Sequence, residues 1–325
     1  MATCANSRAG GTVLALGGPT ASGKSGCALE IARRMGGEII SADSMQVFRG
    51  LEIGTAQPTP AERAEIPHHL VGILSIRERW DASRFVPAAQ DAIAKAAAAG
   101  HLPIVVGGTG MYLKALCYRL PMLPSDPEIA AVLREMLATE TGVASLRREL
   151  AQAAGGEAAV PHDLWLNPRR VARSVEVLRI TGELSWQVAQ PPAGALPQFR
   201  QLCLLPLTAN LRRRIIRRTR QMLRDGWVEE ALCAVEAGLL ETPTAWQALG
   251  YRDIAQFMRG GGAGGEAALT ELLVNRTMQY ARRQLTWFRH QHPGAQFLEI
   301  EDDEDLTVAV RRAEASCRQQ TDYSP

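Results

Sequence analysis

The stretch Gly18-Pro19-Thr20-Ala21-Ser22-Gly23-Lys24-Ser25 decides the fold of this 325-residue chain. It fits the pattern GxxxxGK[ST] at every fixed position, and the apolar run 12–16 stands before it. Apolar residues at helical spacing follow over 23–35, so the pattern predicts a buried strand, a tight turn and a helix. Backbone N–H groups of such a turn and of the helix N-terminus bind phosphate oxygens. We therefore predict a phosphate or diphosphate site at residues 18–25.

The chemistry of phosphate binding explains why particular residue types occur in this loop. Gly18 and Gly23 permit its curvature, Lys24 can reach a terminal phosphate, and the Ser25 hydroxyl can hold Mg²⁺. The chain has three lysines against 33 arginines, so a lysine at this position argues against an accidental match. By itself the loop suits an ATP-binding protein such as an ATPase or a kinase, or a transferase whose leaving group is diphosphate.

Strands and helices alternate through the first third of the chain. Short strands are predicted at 12–16, 38–43, 70–74, 102–106 and 202–205, with helices at 23–35 and 83–99. This alternation predicts an α/β fold with a P-loop NTPase-like parallel sheet and flanking helices.

The pattern changes at the proline-rich segment PMLPSDPE, which begins at Pro121. Only helices are predicted from there to a second proline-rich hinge at 191–197: they cover 127–139, 143–153 and 168–180. We therefore predict a helical insertion over 121–197 within a core domain made of 1–120 and 198–325. The end of the core domain is predicted to be mostly helical, over 208–224, 227–237, 250–259 and 266–290.

Composition excludes several classes of protein. No apolar run approaches the roughly 20 residues that span a bilayer, and residues 1–11 lack the apolar core of a signal peptide. The six cysteines, which include Cys4, form no CxxC pair, so neither a zinc site nor a disulfide framework is indicated. We expect a cytoplasmic protein that acts as a monomer and does not bind membranes.

The net charge of +2 hides an asymmetry. Residues 165–290 hold 18 arginines and 10 acidic residues, a net charge of +8, and the rest of the chain carries −6. A basic region on a nearly neutral protein indicates a polyanionic partner. The alternative is a set of solvated helix faces.

A carboxylate is predicted beside the phosphate loop. Asp43 ends the second predicted strand, and the carboxyl ends of parallel strands line the ligand crevice of such a sheet. An acidic group there can act as a general base or as a metal ligand. The alternative is an aspartate that caps a turn.

Six segments of the sequence occur in a recognisable order: GPTASGKS, SADSMQVFRGLEIGTAQP, PHHL, VGGTGMYLKAL, ALGYRDI and RRQLTWFR. Together they resemble the tRNA dimethylallyltransferase family, also called tRNA isopentenyltransferases, over roughly residues 12–290. The length of the chain and the absence of a C-terminal zinc finger resemble the bacterial form.

The resemblance implies a reaction and its residues. A dimethylallyl group would pass from dimethylallyl diphosphate to the exocyclic amine of the adenosine 3′-adjacent to the tRNA anticodon, with Mg²⁺ assisting and diphosphate released. Asp43 would be the acid–base residue, Arg218 and Lys24 catalytic cations, Ser25 the metal-side hydroxyl, and residues 18–25 the diphosphate site. The residues that would bind the tRNA anticodon stem-loop are Asp43, Ser44, Met45, Gln46, Thr109, Arg169, Arg170, Val171, Ala172, Arg173, Gln247, Ala248, Leu249, Gly250, Tyr251 and Arg252.

Three positions depart from the pattern of the family. Phe48 stands where many members have tyrosine, Gln57 where lysine is common, and Gln247 where others often have a basic residue. None of these removes a chemical group from the implied mechanism, although each bears on individual RNA contacts.

The helix predicted at 208–224 carries seven arginines, and helical geometry separates them. Arg214 and Arg218 lie at the border of its apolar stripe, where the stem of an arginine packs while its guanidinium reaches a cleft. The others include four that share one face and are solvated or face phosphates: Arg213, Arg217, Arg220 and Arg224.

For three further groups of residues, a functional role and a purely structural role are both considered. Arg169, Arg170 and Arg173 open a helix, where positive charge opposes the helix dipole, so phosphate binding explains them better than stability. Trp287 and Phe288 lie between arginines, with core packing as the alternative. For the pair at 68–69 we favour a structural role, because no further metal ligands accompany these histidines.

Two other functions remain open at this point. A small-molecule P-loop kinase would need a site for a phosphoryl acceptor but no basic helical insertion. A non-catalytic, NTP-dependent RNA-binding factor would keep the basic surface but would not need Asp43.

Overall fold

The computed structural model of the chain describes residues 11–188, 196, 198–301 and 304–318. Predictions about residues 1–10, Cys4 among them, and about nearly all of the hinge at 191–197 lie outside these residues. The chain forms two compact units, one made of Met1–Tyr118 with Gly194–Pro325 and the other of Arg119–Ala193. The second unit overlaps most of the segment 121–197, for which a helical insertion stays our prediction.

Among the described residues, the larger unit contains a six-stranded sheet in which all neighbouring strands run parallel. The strands are β1 (Val13–Gly17), β2 (Gly37–Ser41), β3 (His68–His69), β4 (Leu102–Gly107), β5 (Phe199–Pro206) and β6 (Gln296–Ile300). Their order across the sheet is β3-β2-β4-β1-β5-β6. The α/β fold with a P-loop NTPase-like parallel sheet is therefore confirmed.

The helices account for most of the remaining described residues. In chain order they are α1 (Lys24–Met35), α2 (Pro60–Glu65), α3 (Ala82–Ala98), α4 (Gly110–Cys117), α5 (Pro127–Met136), α6 (Glu140–Ala154), α7 (His162–Trp165), α8 (Pro168–Thr181), α9 (Ser185–Val188), α10 (Thr208–Arg224), α11 (Trp227–Glu236), α12 (Tyr251–Arg259), α13 (Gly265–Gln291) and α14 (Glu304–Arg318). Helices α5 to α9 belong to the smaller unit and the others to the larger one.

The phosphate loop follows β1, which lies between β4 and β5 near the middle of the sheet. The chain leaves β1 towards β2 on one side and reaches β5 on the other side only after β4, so β1 lies at a topological switch point, where open α/β sheets bind ligands. Gly18 has a φ of +149°, and a Cβ there would lie 2.6 Å from the carbonyl oxygen of Leu204. The first turn after β1 therefore requires glycine.

The core of the larger unit lies between the sheet and the helices packed on it. Leu14, Leu16 and Ile104 from the strands are fully buried against Ile31 of α1 and Ala309 of α14. All five residues of β1 are buried, as expected for a strand covered on both faces. The phosphate loop thus follows a strand that is buried along its whole length.

The sequence analysis was wrong about the sheet at two places. The strand predicted at 70–74 is not formed. The chain forms the two-residue strand β3 at 68–69 instead, because Leu70 has a φ of +61° and ends the extended run. Leu74 forms a single bridge to Phe48 instead. Neither β6 nor α14 was predicted.

The smaller unit has a core of its own. Leu146 and Leu150 of α6 pack with Val171 and Val175 of α8, and all four side chains are fully buried. The first turn of α8 is capped by the side chain of Asn167, which accepts a hydrogen bond from the N–H of Arg169.

Two features bear on the expected class of protein. Within the described ranges, no helix combines the length and apolar character needed to cross a membrane. The five cysteines in the described part of the chain are free thiols, and four of them are buried.

A buried histidine should make the stability of the larger unit depend on pH. His292 lies beside Phe288, its Nε2 donates to the carbonyl of Gly110 at 3.2 Å, and burial lowers its pKa from 6.5 to about 4. Between these pH values the unfolded chain binds a proton that the folded chain does not, so stability falls as the pH drops. The contribution of this histidine between about pH 7.5 and pH 5 is about 2 kcal/mol.

We expect His292→Gln to remove most of that pH dependence. The glutamine amide can still donate to Gly110 but does not titrate near neutral pH. Urea unfolding of both proteins at the two pH values measures the difference. An unchanged pH dependence in the variant would assign the effect to other groups.

Candidate active site

The phosphate loop forms as a turn between β1 and α1, with Lys24 as the first helical residue. The Nζ of Lys24 donates to the carbonyl of Pro19 at 3.1 Å, which folds the lysine back over the loop. The hydroxyl of Ser22 is buried and, within the part of the chain that the structure describes, has no hydrogen-bond partner. Ser22 is fully buried and does not line the cavity beside the loop, so the side chains of the loop that a ligand meets are those of Thr20, Lys24 and Ser25.

Two cations approach the loop without an acidic group bonded to either among the contacts described. Burial and the neighbouring Arg218 together lower the pKa of Lys24 to about 8, although Asp43 opposes both effects. Burial also lowers the pKa of Arg218, again opposed by Asp43. Positive charge held in this way favours a site that binds an anion.

Helix α10 supplies the arginines beside the loop. The Nη1 of Arg218 donates to the hydroxyl of Thr20 at 3.1 Å, and the Nη1 of Arg214 donates to the carbonyl of Ser22 at 3.2 Å. Both are partly buried, whereas the other five arginines of the helix are exposed: Arg212, Arg213, Arg217, Arg220 and Arg224. The two arginines expected at the border of the apolar stripe are therefore the two that meet the loop.

Asp43 lies two residues beyond the end of β2. Its Oδ1 accepts hydrogen bonds from the N–H groups of Met45 at 2.9 Å and Gln46 at 3.4 Å. The turn role considered as the alternative is thus present. It leaves a partly buried carboxylate beside the cations, with its orientation fixed by the backbone.

Lys24, Asp43 and Arg218 line one cavity of about 340 Å³. One part of its wall is apolar and comes from Gly54, Ala56, Val106, Gly107, Ile215, Met222, Trp227 and Leu249. Met45 also lines the cavity, and the other lining residues are polar: they include Thr20, Ser25, Ser44, Gln46, Thr55, Thr219, Gln247, Thr277, Tyr280, Arg283 and Gln284. The cavity therefore suits a ligand with an anionic end and a short hydrocarbon group.

The residues after Asp43 meet the turn that follows β4. The N–H of Ser44 donates to the hydroxyl of Thr109 at 3.0 Å, so these two predicted tRNA-binding residues lie side by side. The side chain of Gln46 is used within the protein. Its Oε1 accepts from the Ser41 hydroxyl, and its Nε2 donates to the carbonyls of Thr55 and Ala56.

The segment 247–252 divides into two groups. Gln247 and Leu249 line the cavity, and Arg252 lies over the ring of Trp246, with its guanidinium carbon 5.3 Å from the ring centroid. Ala248 and Tyr251 are buried, and the Tyr251 hydroxyl donates to Glu230 at 2.6 Å. These two side chains hold the segment in place and are not available at the surface to RNA.

The predicted basic cluster of α8 is also divided. Arg169 is exposed, and Arg170 is exposed but paired with Asp163 at 2.7 Å. Arg173 donates to the buried carboxylate of Glu176 at 2.5 Å and to the carbonyl of Leu123 at 2.7 Å.

These contacts to Glu176 and Leu123 give Arg173 a structural role that the dipole argument did not include, while its contact to tRNA phosphates stays a prediction. Val171 and Ala172 are buried in the core of the smaller unit, so their side chains are not available to RNA.

The histidines at 68–69 have structural partners. A carboxylate oxygen of buried Glu38 lies 2.6 Å from Nε2 of His69, and the other lies 2.6 Å from Nδ1 of His101. Burial raises the pKa of Glu38, but these hydrogen bonds outweigh it and hold the pKa below its ordinary value. Within the described residues, no three His, Cys, Asp or Glu side chains form a group that could hold a metal.

The sequence analysis missed several residues of the cavity. Gln284 and Tyr280 of α13 line it, and so does Trp227 at the start of α11, whose buried indole N–H has no hydrogen-bond partner among the residues that the structure describes. Burial and the nearby Asp43 raise the pKa of Tyr280. Of these three, only Gln284 lies in a quoted motif, RRQLTWFR, where attention went to the arginines and aromatic residues. Phe288 of that motif is fully buried, as the packing alternative predicted.

Two family models match the chain. The IPP transferase model matches residues 46–291, and the isopentenyl transferase model matches residues 11–68. A tRNA dimethylallyltransferase of Deinococcus radiodurans is 41% identical over 279 residues, which are 84% of this chain and 88% of that protein. One of Thermus thermophilus is 42% identical over 286 residues, which are 86% of this chain and 89% of that protein.

Solved structures give the same result. The full-length tRNA isopentenylpyrophosphate transferase of Bacillus halodurans has a TM-score of 0.67 and 29% identity, covering 95% of this chain and 98% of that one. A eukaryotic dimethylallyltransferase acting on tRNA has a TM-score of 0.80 over 97% of this chain and 80% of that one; at 24% identity it supports the fold alone. Since a family model spans most of the chain and curated relatives match it nearly end to end, the chain belongs to the IPP transferase family, that of the tRNA dimethylallyltransferases.

Proposed function

We propose that this protein transfers a dimethylallyl group from dimethylallyl diphosphate to the exocyclic amine of the adenosine 3′-adjacent to the anticodon of a tRNA. The observation that carries the proposal is the cavity in which Asp43 faces the cations of the phosphate loop beside an apolar wall. The names of the relatives support the same reaction. They do not favour the kinase or the non-catalytic RNA-binding factor.

The proposed step is a displacement at the first carbon of the dimethylallyl group. The amine nitrogen forms a bond to that carbon, the bond from carbon to the diphosphate oxygen breaks, and the electron pair leaves with diphosphate. A neutral aryl amine is a weak nucleophile, so Asp43 takes its proton as charge develops. Lys24 and Arg218 stabilise the negative charge that grows on the leaving group.

The donor fits the two parts of the cavity. Its diphosphate would bind the N–H groups of the loop and the two cations. Its hydrocarbon group would contact the apolar wall, which includes Met222 and Trp227. Water excluded from that wall strengthens the charge interactions next to it.

The residues present fit a magnesium ion. The Ser25 hydroxyl lines the same cavity as Asp43, and Mg²⁺ in such sites is held by one or two protein oxygens together with substrate phosphates. A group of three acidic side chains is therefore not required. Ser25 would hold the ion, which when bound would offset the charge on the diphosphate.

Exposed arginines support a surface for tRNA. Arg169 on α8 and the exposed face of α10 carry positive charge without an acidic partner in the contacts described, and phosphates supply the complementary charge. Every group assigned to the chemistry lies on one chain, so the proposed reaction needs no residue of a second chain, and we propose that the protein acts as a monomer. A tRNA substrate and free thiols support the cytoplasm as the place of action.

Mass analysis of tRNA tests the proposed function. Unmodified tRNA is incubated with the protein, Mg²⁺ and dimethylallyl diphosphate, digested to nucleosides and analysed, with a reaction lacking the donor as control. We expect the gain of one dimethylallyl group on a single adenosine next to the anticodon. Binding of the tRNA without any gain in mass would contradict the proposal and favour the non-catalytic alternative.

A further inference from the structure

One buried side-chain amide connects two of the turns beside the cavity. Gln284 of α13 is only 7% exposed. Its Oε1 accepts a hydrogen bond from the N–H of Thr20 in the phosphate loop at 2.9 Å, and its Nε2 donates to the carbonyl of Gly108 at 2.8 Å. The side chain therefore bonds to the turn after β1 and to the turn after β4 at the same time.

The backbone beside this amide is shaped to admit it. A Cβ at position 108 would lie 2.5 Å from the Nε2 of Gln284. Only glycine lets the amide approach the carbonyl of that residue without displacing the side chain or the turn. The close fit indicates that the position of Gln284 is fixed from both sides.

From each end of the amide, a short path of hydrogen bonds and adjacent residues leads to a group proposed for the reaction. At one end, the Thr20 hydroxyl accepts from Arg218 at 3.1 Å. At the other end, Thr109 follows Gly108, and its hydroxyl accepts from the N–H of Ser44, the neighbour of Asp43. Gln284 is thus the middle link between the cation on the leaving-group side and the base.

We propose that Gln284 is a positioning residue that sets the distance between the bound diphosphate and Asp43; the proposal rests on the function proposed above. In a direct displacement, the attacking nitrogen and the leaving oxygen lie on opposite sides of one carbon. The base and the phosphate loop must therefore keep a fixed separation. A misplacement of about 1 Å costs about 10²-fold in rate.

Gln284→Met tests the bridge, because methionine has nearly the same length but forms neither hydrogen bond. Gln279→Met is the matched control, since Gln279 lies on the same helix and is exposed. In single-turnover reactions with saturating substrates, we expect Gln284→Met to be about 10–100-fold slower than the control. The KM for dimethylallyl diphosphate should change only a few-fold. A general loss of folding would lower the amplitude of the single-turnover reaction and leave its rate constant unchanged, so the rate constant separates the two effects.

Gln284→Glu separates the two ends of the bridge. The carboxylate still accepts from Thr20 but does not donate to Gly108. Because the carboxylate also adds a negative charge beside the phosphate loop, a slow Gln284→Glu variant supports a bridge that needs both contacts when its KM for dimethylallyl diphosphate matches that of Gln284→Met. Wild-type rates in either Gln284 variant, or a fall in the rate of Gln284→Met matched by the same loss of donor binding, would overturn the proposal.

Hydrogen exchange reports on the bridge without any turnover. We expect faster backbone exchange in segments 18–23 and 43–46 of Gln284→Met than of Gln279→Met. Unchanged exchange in both segments would contradict the bridge even if the rate fell. Prenylation by the wild-type protein tests the proposed function, whereas the comparison of the two methionine variants tests the bridge, so the two can fail separately.

Discussion

Replacing Asp43 with asparagine is expected to lower the rate of prenyl transfer by about 10²–10⁴-fold, the usual cost of removing a general base. Asparagine keeps an oxygen that can accept from the N–H groups of Met45 and Gln46, so the turn should persist. What is lost is the negative charge that takes the proton of the amine. Single-turnover rates measured beside tRNA affinity will show whether the loss is in chemistry or in binding.

Asp91→Asn is a suitable control for this experiment. Asp91 lies on α3 with its side chain 62% exposed, paired with Lys95, and such surface pairs contribute little. We expect wild-type rates in this control. A near-normal rate in Asp43→Asn would exclude Asp43 as the base, and a loss confined to tRNA affinity would make it a binding residue.

The fold could be predicted because its central element carries several signals at once. An apolar run, a glycine-rich turn and an amphipathic helix agree on β1, the phosphate loop and α1. The edge strand β6 has no such agreement: only Leu298 and Ile300 of its five residues are buried, and Phe297 is 40% exposed. Whether an edge segment forms a strand depends on its contacts with the neighbouring strand and helix. The pattern of apolar residues within the segment itself therefore identifies such a strand poorly.

The site was predictable where its residues are close in sequence. The loop and Asp43 follow consecutive strands, and parallel strands bring their carboxyl ends together. Gln284 and Trp227 reach the cavity from helices more than 180 residues away in the chain. The phase of a helix shows which face is buried, but it does not show which loop that face will meet.

The arginines of α8 show a second limit. Composition and the helix dipole both favoured phosphate binding for Arg169, Arg170 and Arg173. In the structure, Arg173 forms an ion pair with the buried Glu176, one turn further along the helix, and this pair gives Arg173 a structural role. Charge patterns in a sequence thus identify a basic segment, while the three-dimensional partners decide which of its members remain for a ligand.

Arg218→Ala is expected to reduce the single-turnover rate by about 10²–10³-fold, as does the loss of one charge-stabilising donor in other active sites. Arg218 lines the cavity and contacts Thr20, so we expect its charge to act on the leaving group and not on the RNA surface. The salt dependence of tRNA binding should therefore stay as in the wild type. Rates at saturating donor and tRNA affinities at several salt concentrations measure both quantities.

Two other arginines test whether the position of Arg218 in the cavity explains the expected loss of rate. All three side chains have the same chemistry and differ only in where they lie. Arg220 lies on the same helix but is exposed, and Arg169 is exposed on α8. Substituting either with alanine should lower the log–log salt slope of tRNA binding by roughly 0.7–0.9 and leave the rate at saturating tRNA nearly unchanged. If Arg218→Ala alters only the salt slope, Arg218 belongs to the RNA surface. If Arg169→Ala leaves the affinity unchanged at every salt concentration, the smaller unit does not bind tRNA phosphates through α8.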